Sequence, residues 1–279
     1  MTWLARIGEE GLFGIPPAWL PGAGFLLLMI LIALAELARP LHRAPREGKG
    51  RLTANFGLGI LNMLLFAAVP LSTLLAAEWA RLHQFGLLNW LAAPAWAAIA
   101  LTLVLRSLAN YGLHRAAHII PLLWRLHRVH HCDTAVDLST GLRHHPGELI
   151  YVALALSGMA ALFGLSVPAL AGYELAAAIV ALWSHANLDM APRVERSLGW
   201  LVTTPALHHV HHSAARAETD SNYGELLTLW DRLFGTYRRL DAQSLRAARF
   251  GLGEQYDADA PRLLAQLAAP LKPEGNEAR

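Results

Sequence analysis

Long apolar runs alternate with short polar connections along most of this chain, and the lengths of the runs predict helices that cross a bilayer. A spanning helix needs about 20 mainly apolar residues. Leu20 to Leu37 and Phe56 to Ala77 meet that need, and a third run extends from Leu87 to about Leu113. Leu149 to Phe163 and Ala169 to Trp183 read as two shorter arms of a helical hairpin turned around Gly164 and Pro168, either spanning or re-entrant. Glu9, Glu10, Pro16 and Pro17 stand where a secretory signal needs a charged start and an apolar core, so the first run is expected to stay as an anchor.

Composition strengthens the membrane reading. Hydrophobic residues make up 54% and charged residues 16% of the 279, against about 45–50% and about 25% in ordinary soluble domains. The single cysteine, Cys132, excludes an internal disulfide, a Cys-based zinc site and an iron–sulfur cluster within one chain. A net charge of +2 gives no reason to expect nucleic acid as a partner. The basic residues report topology instead: Arg39, Arg43, Arg46, Lys49 and Arg51 lie between the first two runs, against Arg81 alone between the second and third. The positive-inside rule puts the former cluster in the cytoplasm and the amino terminus outside.

Candidate chemistry comes from histidine. Fourteen are present, and most fall in tight clusters: His114 and His118; His127, His130 and His131; His144 and His145; His208, His209, His211 and His212. With the topology above, all of these and His185 fall on the cytoplasmic side, as a shared site requires. Residues four apart share a helix face, so Asn110, His114 and His118 form a polar stripe that Arg106 extends deeper into the apolar helix. The two His-x-x-His-His triplets can each aim three imidazoles at one region. The strong clusters hold eight histidines, and His145 and His185 bring the set to ten, more than one metal uses. Two metals are implied. Iron fits oxygen activation, while zinc or copper could occupy the same nitrogens in a purified sample. The fold expected is all-α, a multi-pass transmembrane bundle with a histidine-rich di-metal cap.

Several segments together carry a family resemblance: YGLHRAAH at 111–118, WRLHRVHH at 124–131, RHHPGE at 143–148, HANL at 185–188, TPALHHVHHS at 204–213, NYG at 222–224 and WDRLFGTY at 230–237. Residues 100–240 thereby resemble the membrane-bound fatty acid hydroxylase, or sterol desaturase, superfamily of non-haem di-iron oxygenases. Position by position, the resemblance implies His114, His118, His127, His130, His131, His145, His185, His208, His211 and His212 as ligands. His144 and His209 become neighbours that hydrogen bond or fill, and His42 and His83 lie outside the pattern. Many members carry an aspartate where this chain has Ser107, so a ligand's orienting partner is expected to differ. Asp133, Asp137, Glu148, Asp189, Asp220 and Asp231 are candidates for orienting a ligand ring, with Glu148 and Asp231 favoured by their motifs. The His-Pro-Gly-Glu at 145–148 mimics a haem motif but lacks a surrounding polar domain, and Cys132 is expected to be a packed thiol.

The resemblance also implies a reaction. Two irons and dioxygen would oxidise an unactivated C–H bond of a fatty acyl, sterol or related lipid by hydroxylation, with desaturation as the alternative. A histidine-rich metal-binding or transport protein is a further reading, disfavoured because the clusters sit at one end of the helices. No flavin, nicotinamide or iron–sulfur domain is legible, so the electrons are expected from an external donor, a ferredoxin or a haem cytochrome with its reductase. Arg115, Arg125, Arg128 and Arg143 are expected to form either a landing surface for that carrier or contacts with lipid headgroups. The substrate should come sideways from the bilayer, and the setting expected is a bacterial inner membrane with the site facing the cytoplasm. Residues 1–240 form one expected domain, followed by a polar tail at 241–279 with a short amphipathic stretch from Pro261 to Leu271, read as a peripheral helix or a flexible end.

Overall fold

Helix is the regular structure throughout the computed structural model, which describes residues 20–42, 50–69 and 71–272 and has no strand among them. Glu9, Glu10, Pro16, Pro17, Arg43, Arg46 and Lys49 lie outside the described residues, as does the end of the tail. Helix α1 covers Leu20–Ala38. The run from Phe56 to Ala77 is not one helix, because α2 (Arg51–Ala68) stops before Pro70 and α3 (Thr73–Leu82) starts afresh. Proline forces the residue before it out of the helical region, and Val69 is extended at φ −112°, ψ 115°.

The third run is broken as well. A single turn, α4 (Leu87–Trp90), is followed by Ala92 at φ 48° and by Pro94, after which α5 runs unbroken over Ala95–Ile119. The expected helix therefore starts later and extends past His114 and His118. After α5 comes the amphipathic α6 (Pro121–His131), and the hairpin then forms as expected from α7 (Pro146–Phe163) and α8 (Val167–His185). Gly164 closes α7 in the left-handed conformation at φ 64°, and a Cβ there would lie 2.7 Å from the Asn89 amide nitrogen. Both demands select glycine.

The stretch Arg51–Trp90 together with α5, α7 and α8 are long and apolar enough to cross a membrane, and Gly22–Ala38 is a shorter apolar helix. Their outward residues include Leu27, Ile30, Met63, Leu64, Trp96, Leu154 and Leu175, all exposed. A contiguous apolar surface of this kind needs lipid to cover it. Inside, Ala77, Leu88, Ala160, Leu165 and Leu170 pack α3 and α4 against the hairpin, and Ile32 packs α1 against Leu182 of α8.

At one end of these helices sits a cap built from α6, a 3₁₀ turn at Leu138–Leu142, α9 (Pro192–Leu198), α10 (Pro205–His211) and the loops that follow. The described part of the tail, up to Lys272, packs on the rest of the chain. Its short helix Leu263–Ala268 packs on Leu58 and Val129, and Gln266 is buried. The reason lies in two guanidinium groups. Arg128 and Arg143 are 1% and 0% exposed, so they are not part of any landing surface. Arg128 donates to the carbonyls of Ala269 and Lys272 and to the Tyr256 hydroxyl. Arg143 donates to Val129 O, Asn55 Oδ1 and Ala260 O. A buried cation needs acceptors, and the tail supplies those just named for Arg128 and one, the Ala260 carbonyl, for Arg143.

Candidate metal centre

Four elements bring the histidines together. The end of α5 supplies His114 and His118, α6 supplies His127, His130 and His131, the end of α8 supplies His185, and α10 with its C-cap supplies His208, His211 and His212. Spacings of three and four on α6 and α10 keep each triplet on one face. The result is two buried groups, His114, His118, His127, His131 and His211 in one and His130, His185, His208 and His212 in the other. Within each group one nitrogen per ring lies within 4.8 Å of all the others. The groups abut, with ring centroids 4.6 Å apart for His131 and His212.

The rings are oriented as ligands need to be. An imidazole that donates its Nδ1–H outward presents its Nε2 lone pair inward. His114 and His211 donate from Nδ1 to the carbonyls of Tyr223 at 2.8 Å and Ser221 at 2.7 Å, and Nε2 of each is buried with no protein partner. His118 Nδ1 faces the Asp220 carboxylate at 3.6 Å, beyond hydrogen-bond length, and its Nε2 is likewise without a partner among the described residues. His127 donates to Glu148 at 2.6 Å, His130 to Arg143 O at 3.0 Å and His185 to Ala181 O at 2.6 Å.

The inward nitrogens crowd one another. Nε2 separations are 3.1 Å for His127 and His131, 3.0 Å for His130 and His185 and 2.9 Å for His185 and His208. Two nitrogens each about 2.1 Å from one ion are about 3.0 Å apart at right angles, so the donor set fits a cation. Buried nitrogens without partners are costly otherwise. Outside the membrane spans, burial first and neighbouring imidazoles second hold His130, His131, His208 and His212 well below the usual histidine value. Burial lowers His211 to about 3. These rings are neutral near pH 7, the form that binds metal.

His145 is the expected ligand that the structure keeps apart. Its Nδ1 accepts from Gly147 N at 3.0 Å as the N-cap of α7, and its Nε2 faces the Leu267 carbonyl at 3.2 Å. Pro146 starts a helix at this point, which turns His145 back on its own first turn. Its neighbour His144 stacks on His130 with centroids 4.3 Å apart and contacts Glu148 at 3.4 Å. His209 turns away from both groups to stack on His42 and reach His185 O, and His83 bonds back to Trp79 O.

The carboxylates divide. Glu148 holds His127 directly and Asp220 faces His118, whereas Asp231 acts at one remove. It accepts from Tyr223 N, Gly224 N and Thr236 Oγ1, fixing the loop whose Tyr223 carbonyl holds His114. Asp133 and Asp137 bind Arg51, and Asp189 pairs with Arg246. Ser107 receives Trp230 Nε1 at 3.1 Å. Cys132 is a packed thiol, donating to Val129 O and Gln266 Oε1. Sequence reasoning missed the main-chain acceptors at Arg143, Ala181, Ser221 and Tyr223, which no side-chain pattern marks. It also missed Glu174 and Glu225. A charge inside the apolar run of α8 was the available signal for Glu174.

Residues 99–236 match the fatty acid hydroxylase family. The chain belongs to that family. It is 33% identical over 180 residues to ornithine lipid hydroxylase OlsE of Rhizobium tropici, covering 64% of this chain and 52% of that protein. It is 31% identical over 221 residues to alkylglycerol monooxygenase of Danio rerio, covering 77% of this chain and 45% of the relative. With the Homo sapiens alkylglycerol monooxygenase the identity is 29% over 134 residues, 46% of this chain and 27% of that one. The chain spans about half the length of the first two relatives. No solved structure matches it.

Proposed function

We propose that this chain is a membrane oxidoreductase that uses a di-iron centre and dioxygen to hydroxylate a C–H bond of a lipid. The observation that carries the reading is the convergence of nine buried imidazoles into two abutting groups, with the Nδ1 of His114, His127, His130, His185 and His211 hydrogen-bonded outward. His114, His118, His127, His131 and His211 would hold one ion, and His130, His185, His208 and His212 the other. Bound there, redox-active iron supplies dioxygen activation and hydrogen removal, chemistry that protein side chains lack. In sum, one oxygen atom enters the lipid and the other leaves as water, consuming two external electrons and two protons. Zinc would fill the same nitrogens without supporting turnover.

The protein's own part is placement and exclusion of water. A cavity of about 190 Å³ reaches His114, His127, His130, His185 and His208, with Leu113, Val152 and Leu156 in its wall. Its histidine wall faces the metals, and its other wall receives the part of the lipid that is oxidised. The names of the relatives, a lipid hydroxylase and a monooxygenase, favour hydroxylation over desaturation. An external ferredoxin or haem cytochrome with its reductase is the proposed donor, and a bacterial inner membrane with the site on the cytoplasmic side the proposed setting. Half-buried Arg115 and Arg125 are the remaining basic candidates for contact with the donor or with headgroups.

The test is anaerobic loading with ferrous iron, followed by oxygen-18 dioxygen, an electron donor and candidate lipids. Labelled hydroxylated lipid is expected. Two irons bound per chain with no oxygen consumed and no oxidised lipid would sink the reading. Replacing His130 or His211 by alanine should abolish turnover while the protein still inserts in the membrane.

A further inference from the structure

The inner cavity is not the wall a plain alkyl chain would select. Beside the histidines it is lined by Asn110, Tyr151 and Glu225. The Tyr151 hydroxyl is buried and has no hydrogen-bond partner among the described residues. Glu225 receives Asn110 Nδ2 at 2.6 Å, and Asn110 Oδ1 in turn receives Arg106 at 2.5 Å. Arg106 is locked to Glu174 through a two-pronged pair at 2.8 and 2.9 Å and lies over the Tyr173 ring at 5.0 Å. The polar chain thus rests on a buried anchor and ends at the cavity.

A second cavity, of about 470 Å³, lies between α2, α3 and α7, with Phe66, Val69, Leu71 and Leu74 in its wall. It shares Arg106, Leu149, Val152 and Leu156 with the inner one, so the two meet across a common wall. Its apolar side suits a tail, and the hydrogen-bonding groups lie at the histidine end. A methylene chain filling the inner cavity would seal the Tyr151 hydroxyl away from every partner, which is unfavourable.

From this arrangement, and resting on the hydroxylase reading, we infer that the substrate is a lipid with its polar end at the histidines and its tail in the Phe66–Leu74 cavity. A hydroxyl or amide group is received by Tyr151 and Glu225, and an ether oxygen by the Tyr151 O–H alone. The carbon oxidised therefore lies within a few bonds of that group, and its position is counted from the polar end.

Two measurements test this. In the first, metal-free protein in nanodiscs is titrated with a monoalkyl glycerol, a long-chain primary amide and the alkane of matched length. The polar probes are expected to bind about tenfold or more tightly than the alkane. Tyr151→Phe, which keeps the ring, and Glu225→Gln should erase most of that difference, Tyr151→Phe partly by letting the alkane bind more tightly. In the second, the iron-loaded wild type is given a chain-length series, and the oxidised carbon should keep its distance from the polar end. Equal binding of alkane and polar probes, or a product position fixed from the methyl end, would overturn the inference and leave hydroxylation standing. Polar discrimination by the metal-free protein with no lipid oxidised by the loaded one would remove the hydroxylase reading instead. If either variant fails to fold, the wild-type chain-length series decides.

Discussion

Replacing Glu148 by glutamine should loosen one metal site and spare the other. The Glu148 carboxylate accepts the Nδ1 proton of His127 at 2.6 Å, and both side chains are buried, so the contact is shielded from water. It keeps the proton on Nδ1 and leaves Nε2, 3.1 Å from His131 Nε2, as the lone-pair face. Glutamine keeps the size but not the charge, so even with its amide oxygen turned to the Nδ1 proton the contact is the weaker neutral one. Loss of such a partner costs about 10–100-fold in metal affinity, or about 1.4–2.7 kcal/mol. The four-histidine group is held by Arg143 and Ala181 carbonyls through His130 and His185, neither of which Glu148 touches. Chelator competition with metal content measured per chain should therefore show one equivalent leaving about 10–100-fold more readily than in wild type, and the second unchanged. If both equivalents shift together, or neither does, the assignment of His127 and Glu148 to one of two separable sites is wrong.

Acid should destabilise the metal-free protein in a defined window. His209 and His211 are lowered from 6.5 to about 3, chiefly by burial. Between those values the unfolded chain binds more protons than the folded one, so stability is full above about pH 6.5 and falls by up to about 1.4 kcal/mol per pH unit per histidine below it. Thermal unfolding of chelator-treated protein from pH 7.5 to 5 checks the sign, and a flat profile would contradict it. Cys132→Ala should retain both metal equivalents yet lower stability by about 1–2 kcal/mol, because Arg143 loses an acceptor at 3.2 Å and a small void opens. Deleting the chain from Glu254 onward should lower thermal stability and weaken the four-histidine site, measured as melting temperature and metal retained after dialysis. Its carbonyls hold Arg143, and the Arg143 carbonyl holds His130.

The apolar runs and the histidine triplets were legible because each is a periodic or compositional signal. Helix breaks were less so: Pro70 and Pro94 lie inside runs that remain apolar on both sides, and hydropathy alone joins what proline divides. Nine of the ten expected ligands come together. His145 does not, because spacing cannot reveal that a helix starting at Pro146 would claim its ring as a cap. Arg128 and Arg143 looked like surface charge, since the Ala269 and Lys272 carbonyls that receive Arg128 and the Ala260 carbonyl that receives Arg143 lie more than a hundred residues away in the tail. Asp231 was picked out by its motif, but its action through the Tyr223 loop belongs to tertiary structure.

Main-chain carbonyls hold His114, His130, His185 and His211, while a carboxylate holds His127. A carbonyl cannot be altered by changing the side chain of its own residue, so these four rings are oriented by the course of the backbone. That course is set by residues distant from any metal. Asp231 and Thr236 shape the loop behind His114, Asn222 at φ 52° ties the segment behind His211 to Leu207 and Arg238, and the tail fixes Arg143 behind His130. Substitutions in these supports should change metal affinity while every histidine remains in place. The lipid-facing helices can vary in composition without moving the centre, so long as their ends at His118 and His185 hold their depth and the hairpin at Gly164 keeps its turn.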